Sequence, residues 1–409
     1  MDMKIFAQTY DSNVVNQTYN ILSTGMFDNK KIRIMPDTHV GMDCVVGFTA
    51  EMDNKINPNI VGVDIGCGVN CTKFNSIDID FKDLDDYIRQ NIPSGMNTFK
   101  SYSDLNKVQY NVKYNNYDYI FDMINKLYCY SNLKKVDRLI QSFGTLGGGN
   151  HFIEIDIDNK NNKYLVIHSG SRNLGLQVCN YYVNVMKNSH IIYKQDMANE
   201  IDLTVKLLTK NKKTNMIQNE IKKIREKYSN IKTHSNYLEG DFFDEYIHDI
   251  KIVQNYAIGN REKMKKSIMN HFNLNKNIID EFESIHNYID TENNIVRKGA
   301  ISANKDQKVI IPINMADGSI IGLGKGNADW NYSAPHGAGR LMSRTEAKKY
   351  VDMTDYIKSM DGIFTTSVCQ ETIDESPMVY RNIDEIKNAI TDTVDIIDII
   401  KPIYNFKAK

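Results

Sequence analysis

Hydrophobic and polar positions recur with different spacings along the chain, and the spacing separates strands from helices. In residues 31–71, short blocks of β-branched residues lie between glycines, which predicts short strands joined by glycine turns. Residues 81–90 and 117–143 repeat apolar positions three and four apart, the spacing of an amphipathic helix. Residues 144–157 and 163–175 return to strand character, the first after consecutive glycines and the second ending in a polar turn.

The second half of the chain repeats this change of character. Residues 195–280 are long, polar and helix-patterned, and they form a basic subregion. After residue 296 the glycines and β-branched residues return, and residues 382–402 predict a C-terminal amphipathic helix that Pro402 stops. No break in composition divides the chain. The sequence therefore predicts one compact α+β domain over residues 1–409.

Charge narrows the classes of function. The 50 Lys and Arg against 51 Asp and Glu give a formal net charge of -1, so the whole molecule has no general attraction to nucleic acid or an anionic membrane. Recognition of phosphate must therefore come from local clusters. Residues 206–232 hold nine Lys or Arg against two Glu, which is typical of a solvated helical face; an arm that faces RNA is the other interpretation.

Composition favours a cytoplasmic protein with no membrane partner. No apolar run approaches the roughly 20 residues that span a bilayer, and the first residues lack the basic and apolar regions of a signal peptide. Six cysteines in 409 residues are too sparse for a disulfide scaffold, so we expect them to be reduced. A monomer is the expected oligomeric state.

Histidines mark the segments that carry polar chemistry. Five of the nine lie in glycine-rich turns or at strand ends, beside Asp, Asn, Ser or Gly: His39, His151, His168, His286 and His336. A lone histidine is more often structural than a ligand, but five in matching contexts indicate a site. The other four lie in the polar helical region and are expected at the surface: His190, His234, His248 and His271.

A carboxylate and a thiol stand close together in one glycine-rich turn. Asp64 and Cys67 lie three residues apart, a spacing that lets both side chains converge on one site. With imidazoles from distant segments they form a set of oxygen, sulfur and nitrogen donors suited to a divalent transition metal such as zinc, manganese or cobalt. One thiolate can bridge two ions, and paired ions suit phosphoryl transfer. Cys71 lies away from the turn and is interpreted as a core residue.

The sequence HGAGR at residues 336–340 suits contact with phosphate. Small residues after the histidine let phosphate oxygens approach backbone amides, and Arg340 supplies a planar fork of donors. A histidine in this position can also be a covalent phosphoryl acceptor, which makes His336 a candidate nucleophile. A tight glycine turn is the alternative interpretation.

The glycines of residues 144–150, GTLGGGN, are a weaker candidate for a phosphate loop. They lack the GK[ST] ending of a P-loop and open no helix. Strand alternation after them places Asn150 and Glu154 on one face and His151 on the other. If both faces serve one site, the glycines must bend the chain before the strand.

Eight multi-residue motifs follow one another along nearly the whole chain. They are MPDTHVG (35–41), GVDIGCGV (62–69), GGGNHFIE (147–154), HSGSR (168–172), IHN (285–287), RKGA (297–300), SAPHGAGRLMSR (333–344) and IDESPMVY (373–380). In this order they resemble the motifs of the RtcB family of GTP-dependent RNA ligases. The resemblance implies a single α+β domain with mixed β-sheets around a dimetal pocket and helices outside.

The resemblance also implies roles for individual residues. Cys67 resembles the ligand that bridges two manganese ions, with the remaining ligands being Asp64, His151, His168 and His286. His336 resembles the nucleophile that attacks the α-phosphate of GTP to give a histidine–GMP intermediate. The positions expected to contact the guanylate are Asn150, Glu154, Tyr380, Lys407, Arg340, Gly337, Ala338 and Gly339. The positions expected around the metals, the triphosphate or the RNA ends are Asp37, His39, Arg172, Lys298 and Arg344.

Two of the guanylate positions have a more specific expected role. Glu154 is expected to read the guanine edge, and Tyr380 to stack on the base. Lys409 lies near Lys407 in sequence and is the alternative to it.

The implied reaction joins broken RNA. A 2′,3′-cyclic phosphate is first opened to a 3′-phosphate, which accepts GMP from the histidine; a 5′-hydroxyl then attacks the activated end and releases GMP. The process served is tRNA splicing or RNA repair, and an accessory activator protein is a further expected partner. Two other interpretations stay open: a metal-dependent phosphoesterase, which needs neither His336 nor Glu154, and a noncatalytic RNA-binding member, for which residues 206–232 are the positive feature.

One segment departs from the family pattern. Where the best-known members carry a Gly-Ser-Met-Gly segment that helps to line the nucleotide pocket, residues 313–319 here read INMADGS. The change loses small residues that permit close backbone approach, and it leaves Asn314 or Ser319 to supply polar contacts. We therefore expect nucleotide preference, rate or RNA substrate to differ from those of the well-known enzymes.

Overall fold

The computed structural model describes residues 2–75, 78–109, 115–228 and 236–408. They form the mixed α+β fold that the sequence predicts. The strands are β1 (Asp2–Ile5), β2 (Lys31–His39), β3 (Val46–Glu51), β4 (Gly68–Phe74), β5 (Phe152–Ile157), β6 (Lys163–Ser169), β7 (Ile278–Ile285), β8 (Asn287–Asp290), β9 (Ile295–Lys298), β10 (Ala300–Ser302), β11 (Lys308–Asn314), β12 (Gly318–Gly324), β13 (Ser333–Pro335), β14 (Phe364–Thr365) and β15 (Val394–Lys407). The helices are α1 (Ser12–Leu22), α2 (Phe81–Asn91), α3 (Tyr102–Asn106), α4 (Asn116–Asn125), α5 (Val136–Gln141), α6 (Arg172–Lys210), α7 (Ile217–Lys227), α8 (Asp241–His271), α9 (Arg344–Tyr350), α10 (Met353–Ser359) and α11 (Ile383–Ala389).

The strands form a large sheet, a smaller sheet and a two-stranded pair. The large sheet has the order β11-β12-β15-β5-β6-β4-β7, with β14 beside β15, and the smaller sheet has the order β1-β2-β3-β9-β8. The pair β10-β13 connects segments near the end of the smaller sheet to the HGAGR sequence. Four consecutive strands of the large sheet, β5-β6-β4-β7, begin or end beside the predicted ligands.

Helix α8 contributes buried side chains to two hydrophobic cores. Its first half buries Tyr246 and Val253 in the larger core, and its second half buries Met264 and Ile268 in the core beneath the large sheet. Between these halves the buried Arg261 donates to the backbone carbonyls of two turns, at 2.8 Å and 2.6 Å. Those carbonyls belong to residues 66 and 169, so α8 fixes both turns that lead to the candidate site.

The predicted C-terminal helix is wrong for most of its length. Residues 383–389 form α11, but residues 394–407 form the strand β15, which pairs with β12 on one side and β5 on the other. Partners distant in sequence supply these hydrogen bonds, so tertiary pairing overrides the helical spacing. Pro402, expected to stop a helix, lies where the register with β5 shifts, a position that tolerates a residue without an amide hydrogen.

The other helical predictions hold with changed bounds. Residues 81–90 lie in α2, and the pattern over residues 117–143 is divided between α4 and α5 by a short 3-10 turn. Residues 195–280 contain the C-terminal part of α6 and the whole of α7 and α8 before β7 begins at residue 278. No helix of the described part of the chain is both long and apolar enough to cross a membrane.

The basic stretch over residues 206–232 pairs many of its charges locally. Lys206 lies 2.6 Å from Asp202, Lys223 lies 2.7 Å from Glu220, and Lys227 lies 2.9 Å from Glu200. These exposed pairs favour the solvated helical face, since lysines that already face carboxylates offer less charge to RNA. Residues 229–232 lie outside the described part of the chain, as does His234.

Candidate metal centre and nucleotide pocket

The five predicted metal ligands come together at the end of the large sheet. Cys67 Sγ lies 3.4 Å from His151 Nε2 and 3.3 Å from His168 Nε2. Asp64 Oδ2 lies 3.3 Å from His151 Nε2, and the Nε2 atoms of His168 and His286 are 3.0 Å apart. One thiol, three imidazoles and one carboxylate thus converge, although they come from four separate segments of the chain.

Glycines let the Asp64–Cys67 turn lie this close to its neighbours. Gly66 has a φ of 71°, and a Cβ there would lie 2.8 Å from the side chain of Ala257 in α8. A Cβ at Gly68 would lie 2.7 Å from the carbonyl oxygen of Ser284 in β7. Any larger residue would push the turn away from the helix and the strand, so the glycines of VDIGCG place the thiol.

Backbone carbonyls set the orientation of two of the histidines. His151 Nδ1 lies 2.8 Å from the carbonyl oxygen of Leu146, and His168 Nδ1 lies 3.1 Å from that of Asn150. A carbonyl oxygen only accepts, so Nδ1 carries a hydrogen in both rings, and Nε2 is the nitrogen left to present a lone pair to a cation. Both Nε2 atoms therefore face the thiol as metal ligands do in proteins.

Burial shifts the pKa values of several of these side chains, and the shifts favour binding of a cation. It lowers the pKa of His168 and of His286, so both imidazoles are neutral at pH 7, and the neighbouring imidazoles add to the effect. Burial and then the Asp64 carboxylate raise the pKa of Cys67, so the thiol loses its proton only when a cation replaces it. Burial opposes ionisation of Asp64, but the hydrogen bond and charge of His151 lower its pKa to about 2. This donor set fits a divalent transition metal.

The glycine loop bends the chain before β5, as the two-faced pattern requires. Gly147 and Gly149 have φ values of 90° and 71°, conformations that glycine adopts without strain. His151 precedes the strand and turns into the metal centre. Glu154, inside the strand, faces the neighbouring cavity instead.

A cavity of about 780 Å³ opens beside the metal centre. His168, His286 and His336 lie at one end of its wall, and Glu154 and Tyr380 belong to the same wall. Its volume is in the range that holds a nucleotide-sized ligand. Every predicted guanylate position lines it: Asn150, Glu154, Tyr380, Lys407, Arg340, Gly337, Ala338 and Gly339.

His336 is held by a buried carboxylate. Its Nδ1 lies 2.6 Å from Asp37 Oδ2, and the same oxygen accepts the backbone amides of His336 and Gly337 at 3.1 Å and 3.2 Å. Gly339, with a φ of 73°, makes this possible, since a Cβ there would collide with the Asp37 carbonyl. Asp37 is fully buried beneath the histidine and does not line the cavity.

Glu375 is a site residue that motif reasoning did not single out, although it lies inside the quoted IDESPMVY motif. The side chain accepts from Tyr380 Oη at 2.7 Å and from Lys407 Nζ at 3.1 Å, and it pairs with Arg344 at 2.5 Å and Arg340 at 3.3 Å. Burial opposes its charge, but Lys407 and Arg344 lower its pKa to about 2. One carboxylate thus orders four predicted nucleotide or phosphate contacts.

Glu154, which lines the cavity, has a second carboxyl group close behind it in β5. Glu154 accepts a hydrogen bond from Asn405 Nδ2 at 2.5 Å, and burial raises its pKa to about 7 against the opposing charge of Lys407. Asp156, two residues along β5, is fully buried, and neither of its oxygens has a hydrogen-bond partner among the described residues. Burial and the charge of Glu154 raise the pKa of Asp156, so Asp156 is the neutral member of the pair.

The remaining positions predicted around phosphate divide into two groups. His39 and Arg344 line the cavity, and burial lowers the pKa of His39 to about 4, so it is neutral there. Arg172 and Lys298 lie outside the cavity wall: Arg172 Nη2 donates to Gly95 O at 2.8 Å, and Lys298 Nζ donates to Asn59 O at 3.1 Å. Lys409 lies outside the described residues.

The segment that departs from the family pattern forms the hairpin between β11 and β12. Ile313, Asn314 and Met315 line the cavity, so this segment does shape the nucleotide pocket. Asn314 Oδ1 accepts the amides of Ala316 and Asp317 at 2.9 Å and 2.8 Å, which closes the turn. The Asn314 carboxamide oxygen is therefore already occupied.

Fold and site together define an α+β protein with a candidate metal centre of Cys, His and Asp side chains beside a nucleotide-sized cavity. The family model described as "tRNA-splicing ligase RtcB" matches residues 17–408, and the chain belongs to this family, as its motifs predict. The RNA-splicing ligase RtcB of Escherichia coli K12 is 29% identical over 394 residues, which cover 90% of this chain and 88% of the relative. The tRNA-splicing ligase RtcB of Aeropyrum pernix is 27% identical over 426 residues, covering 86% and 82%. That of Nanoarchaeum equitans is 27% identical over 432 residues, covering 87% and 83%.

Proposed function

We propose that the protein is an RNA ligase that joins 2′,3′-cyclic phosphate or 3′-phosphate ends to 5′-hydroxyl ends, with GTP as co-substrate. The observation that carries this proposal is the placement of His336. It lies in the cavity wall, fixed by Asp37 at 2.6 Å, with its ring centre 4.7 Å from that of His286. A histidine held this way, between a metal centre and a nucleotide-sized cavity, is suited to accept a nucleotidyl group.

In the proposed first step, His336 attacks the α-phosphorus of GTP. Asp37 accepts the Nδ1 hydrogen, so the Nε2 lone pair is free to form the nitrogen–phosphorus bond while the bond to pyrophosphate breaks. The Asp37 carboxylate also stabilises the positive charge that the ring gains. Tyr380 and Glu154 hold the base, and Arg340 lies near the phosphates.

The metal ligands are Asp64, Cys67, His151, His168 and His286, and we propose that they hold two manganese ions. Bound there, divalent ions would neutralise charge on the triphosphate and on the RNA phosphate. The chain's own contribution is to orient the rings of His151 and His168, whose Nδ1 contacts with backbone carbonyls turn Nε2 toward the thiol.

The second and third proposed steps involve RNA. An oxygen of the RNA 3′-phosphate attacks the phosphorus of histidine–GMP, which frees His336 and leaves the RNA end guanylylated. A 5′-hydroxyl then attacks the RNA phosphorus, its proton is removed, and GMP leaves. His39, Arg172, Lys298 and Arg344 are the proposed contacts to the RNA ends. We further propose a monomer that acts in the cytoplasm, in tRNA splicing or RNA repair, with an activator protein as an accessory partner.

The test uses α-labelled GTP and manganese with the full chain. We expect acid-labile, alkali-stable label on the wild type, and sealing of an RNA with a 3′-phosphate and a 5′-hydroxyl. Cys67→Ser should stay unlabelled at limiting manganese, because a hydroxyl is a weaker ligand than a thiolate for a soft site. Matched Cys71→Ser, which changes a buried thiol in the core outside the centre, should keep the label. Hydrolysis of phosphoesters without label would instead assign the protein to the phosphoesterases, and RNA binding without either activity to the noncatalytic members.

The affinity for GTP should decrease as the pH is lowered through the pKa of Glu154. The ionised carboxylate accepts hydrogen bonds from guanine, and its pKa is about 7, so the acceptor is present above that pH and lost below it. We expect affinity for GTP to be roughly tenfold lower about one unit below the midpoint than well above it. Equilibrium binding of a non-hydrolysable GTP analogue measures this.

Glu154→Gln is the control for that pH dependence. It should bind GTP more weakly than the wild type above pH 7 and lack the loss around pH 7, because an amide does not titrate there. Acid protonation of metal-site histidines would affect both proteins alike. An identical pH profile in wild type and Glu154→Gln would contradict the assigned role.

A further inference from the structure

A second cavity, of about 810 Å³, borders the glycine loop that leads to His151. Basic side chains outnumber acidic ones in its wall by five to one: Arg89, Lys100, Lys107, Arg138 and Lys263 against Asp104. Four amide side chains also face it: Gln90, Asn91, Asn97 and Gln141. Arg89 already pairs with Asp85 at 2.7 Å and Lys107 with Asp104 at 2.9 Å, so the positive charge without a carboxylate partner among the described residues is that of Lys100, Arg138 and Lys263.

Lys263 gives this cavity a buried cation. The residue is 2% exposed, its Nζ donates to the carbonyl of Phe143 at 3.2 Å, and it lies 4.2 Å from the centre of the Phe99 ring. No carboxylate pairs with it among the described residues, and burial lowers the pKa of Lys263 to about 7. An anion in the cavity would offset this cost, because a negative charge nearby favours the ammonium form.

The cavity is connected to the metal centre through a single loop. Ser94 pairs with Gly147, and Gly95 donates to Gly147 O at 2.8 Å. Gly147 in turn lies against the metal ligand His151, since a Cβ on it would be 2.6 Å from His151 Nδ1. Arg172 Nη2 completes the connection by donating to Gly95 O. An RNA strand that runs along this loop would lie close to both the second cavity and the candidate metal centre.

We propose that this cavity binds the phosphodiester backbone of the substrate RNA, beyond the nucleotide that reacts. The inference rests on the proposed ligase function. Basic groups at separate positions along the cavity suit the successive phosphates of an RNA strand. A single free phosphate would instead need these groups to converge on one point. The amides can hydrogen-bond ribose hydroxyls or base edges, and Met96, 83% exposed at the rim, offers an apolar surface to a base.

The experiment compares two double variants of the full chain. Lys100→Gln with Arg138→Gln neutralises two exposed groups of the cavity and leaves the buried Lys263 in place. Lys222→Gln with Arg225→Gln removes the same charge from α7, in the basic stretch. Each is titrated with single-stranded 3′-phosphate RNA of about four and about twelve nucleotides over a range of salt.

We expect wild-type affinity to rise from the shorter to the longer RNA. The Lys100→Gln/Arg138→Gln variant (the cavity pair) should lose that gain, and its logarithmic salt slope for the longer RNA should be smaller than that of the wild type by about 1.4. The Lys222→Gln/Arg225→Gln variant (the α7 pair) should match the wild type. Equal length dependence in the wild type and the cavity pair would overturn the proposal, as would a loss confined to the α7 pair. Weaker binding of ATP by the cavity pair, with RNA binding unchanged, would assign the cavity to a free nucleotide and overturn it too.

Labelling by GTP separates this inference from the proposed function. Both double variants should form the histidine–GMP adduct at the wild-type rate, since neither change lies in the nucleotide pocket. A labelled, RNA-sealing wild type whose cavity pair binds long RNA normally would leave the ligase function intact and remove only the second RNA site. A wild type that neither labels nor seals would remove both.

Discussion

His336→Ala should abolish guanylylation of the protein while leaving the metal centre and the GTP pocket intact. The change removes the proposed nucleophile, so we expect labelling from GTP to fall by more than about 10⁴-fold. His336 is not among the five converged ligands, and its side chain lies at the cavity wall, so metal affinity should change little. Single-turnover labelling with α-labelled GTP measures the loss.

The matched control for that experiment is His248→Ala. His248 lies in α8, its side chain is 45% exposed, and its Nδ1 contacts the neighbouring Asp249 rather than any part of the cavity. Labelling should therefore stay at the wild-type level. Retained label in His336→Ala would show that another side chain accepts GMP, and the nucleophile would have to be sought by mapping the labelled peptide.

A second arm tests a later step of the same reaction. An RNA supplied already guanylylated at its 3′ end needs no histidine–GMP, so His336→Ala should seal it. Failure to seal it, with metal content unchanged, would mean that His336 also acts in the RNA step. This outcome distinguishes loss of the nucleophile from a general collapse of the site.

The chemistry of the site could be predicted because its residues are held by local sequence. Asp64 and Cys67 are joined by a turn in which glycine conformation is required, and the Cys67 amide donates to Asp64 O at 3.2 Å. His336 begins a segment whose glycines are needed for contact with β2. Local patterns of this kind can be recognised in the sequence alone. The order of the motifs therefore identified both the family and the set of side chains that converge in the candidate metal centre.

The C-terminal strand could not be predicted by the same means. Residues 394–400 read VDIIDII, and this spacing suits a helix face as well as a strand. What decides between them is the pairing of β15 with β12 and β5, whose residues are distant in sequence. Long-range partners leave no local mark, and the misassigned segment is the one that brings Lys407 to the cavity.

The residues that orient the reactive side chains could not be predicted from the sequence, for a related reason. The motif of Asp37 places it around the metals, the triphosphate or the RNA ends, and only the fold shows that it lies beneath His336 and holds its ring. Glu375 carried no assigned role, since its importance comes from the Tyr380 hydroxyl of its own motif and from three basic groups that reach it from other segments. Sequence indicates which residues carry chemistry, whereas the fold decides which of them orient the others.

Asp37→Asn should slow guanylylation by roughly 10³-fold to 10⁴-fold without displacing the histidine. The amide has nearly the shape of the carboxylate, so its oxygen can still accept the backbone amides of His336 and Gly337. It carries no charge, however, to stabilise the ring as the nitrogen–phosphorus bond forms. In the opposite orientation of the amide, the amino group would take the place of that oxygen and face Nδ1, which would favour the tautomer whose hydrogen is on Nε2 and block the attack.

Pre-steady-state labelling at saturating GTP isolates this effect in the rate of adduct formation. Affinity for GTP and for manganese should remain near the wild-type values, because Asp37 lies outside the cavity wall and outside the ligand set. Asp290→Asn is the matched control: it neutralises a partly buried carboxylate that pairs with Arg297 at 3.1 Å, and it should label normally. A rate in Asp37→Asn within about threefold of wild type would mean that the backbone alone positions His336 and that the charge of Asp37 contributes little to the transition state.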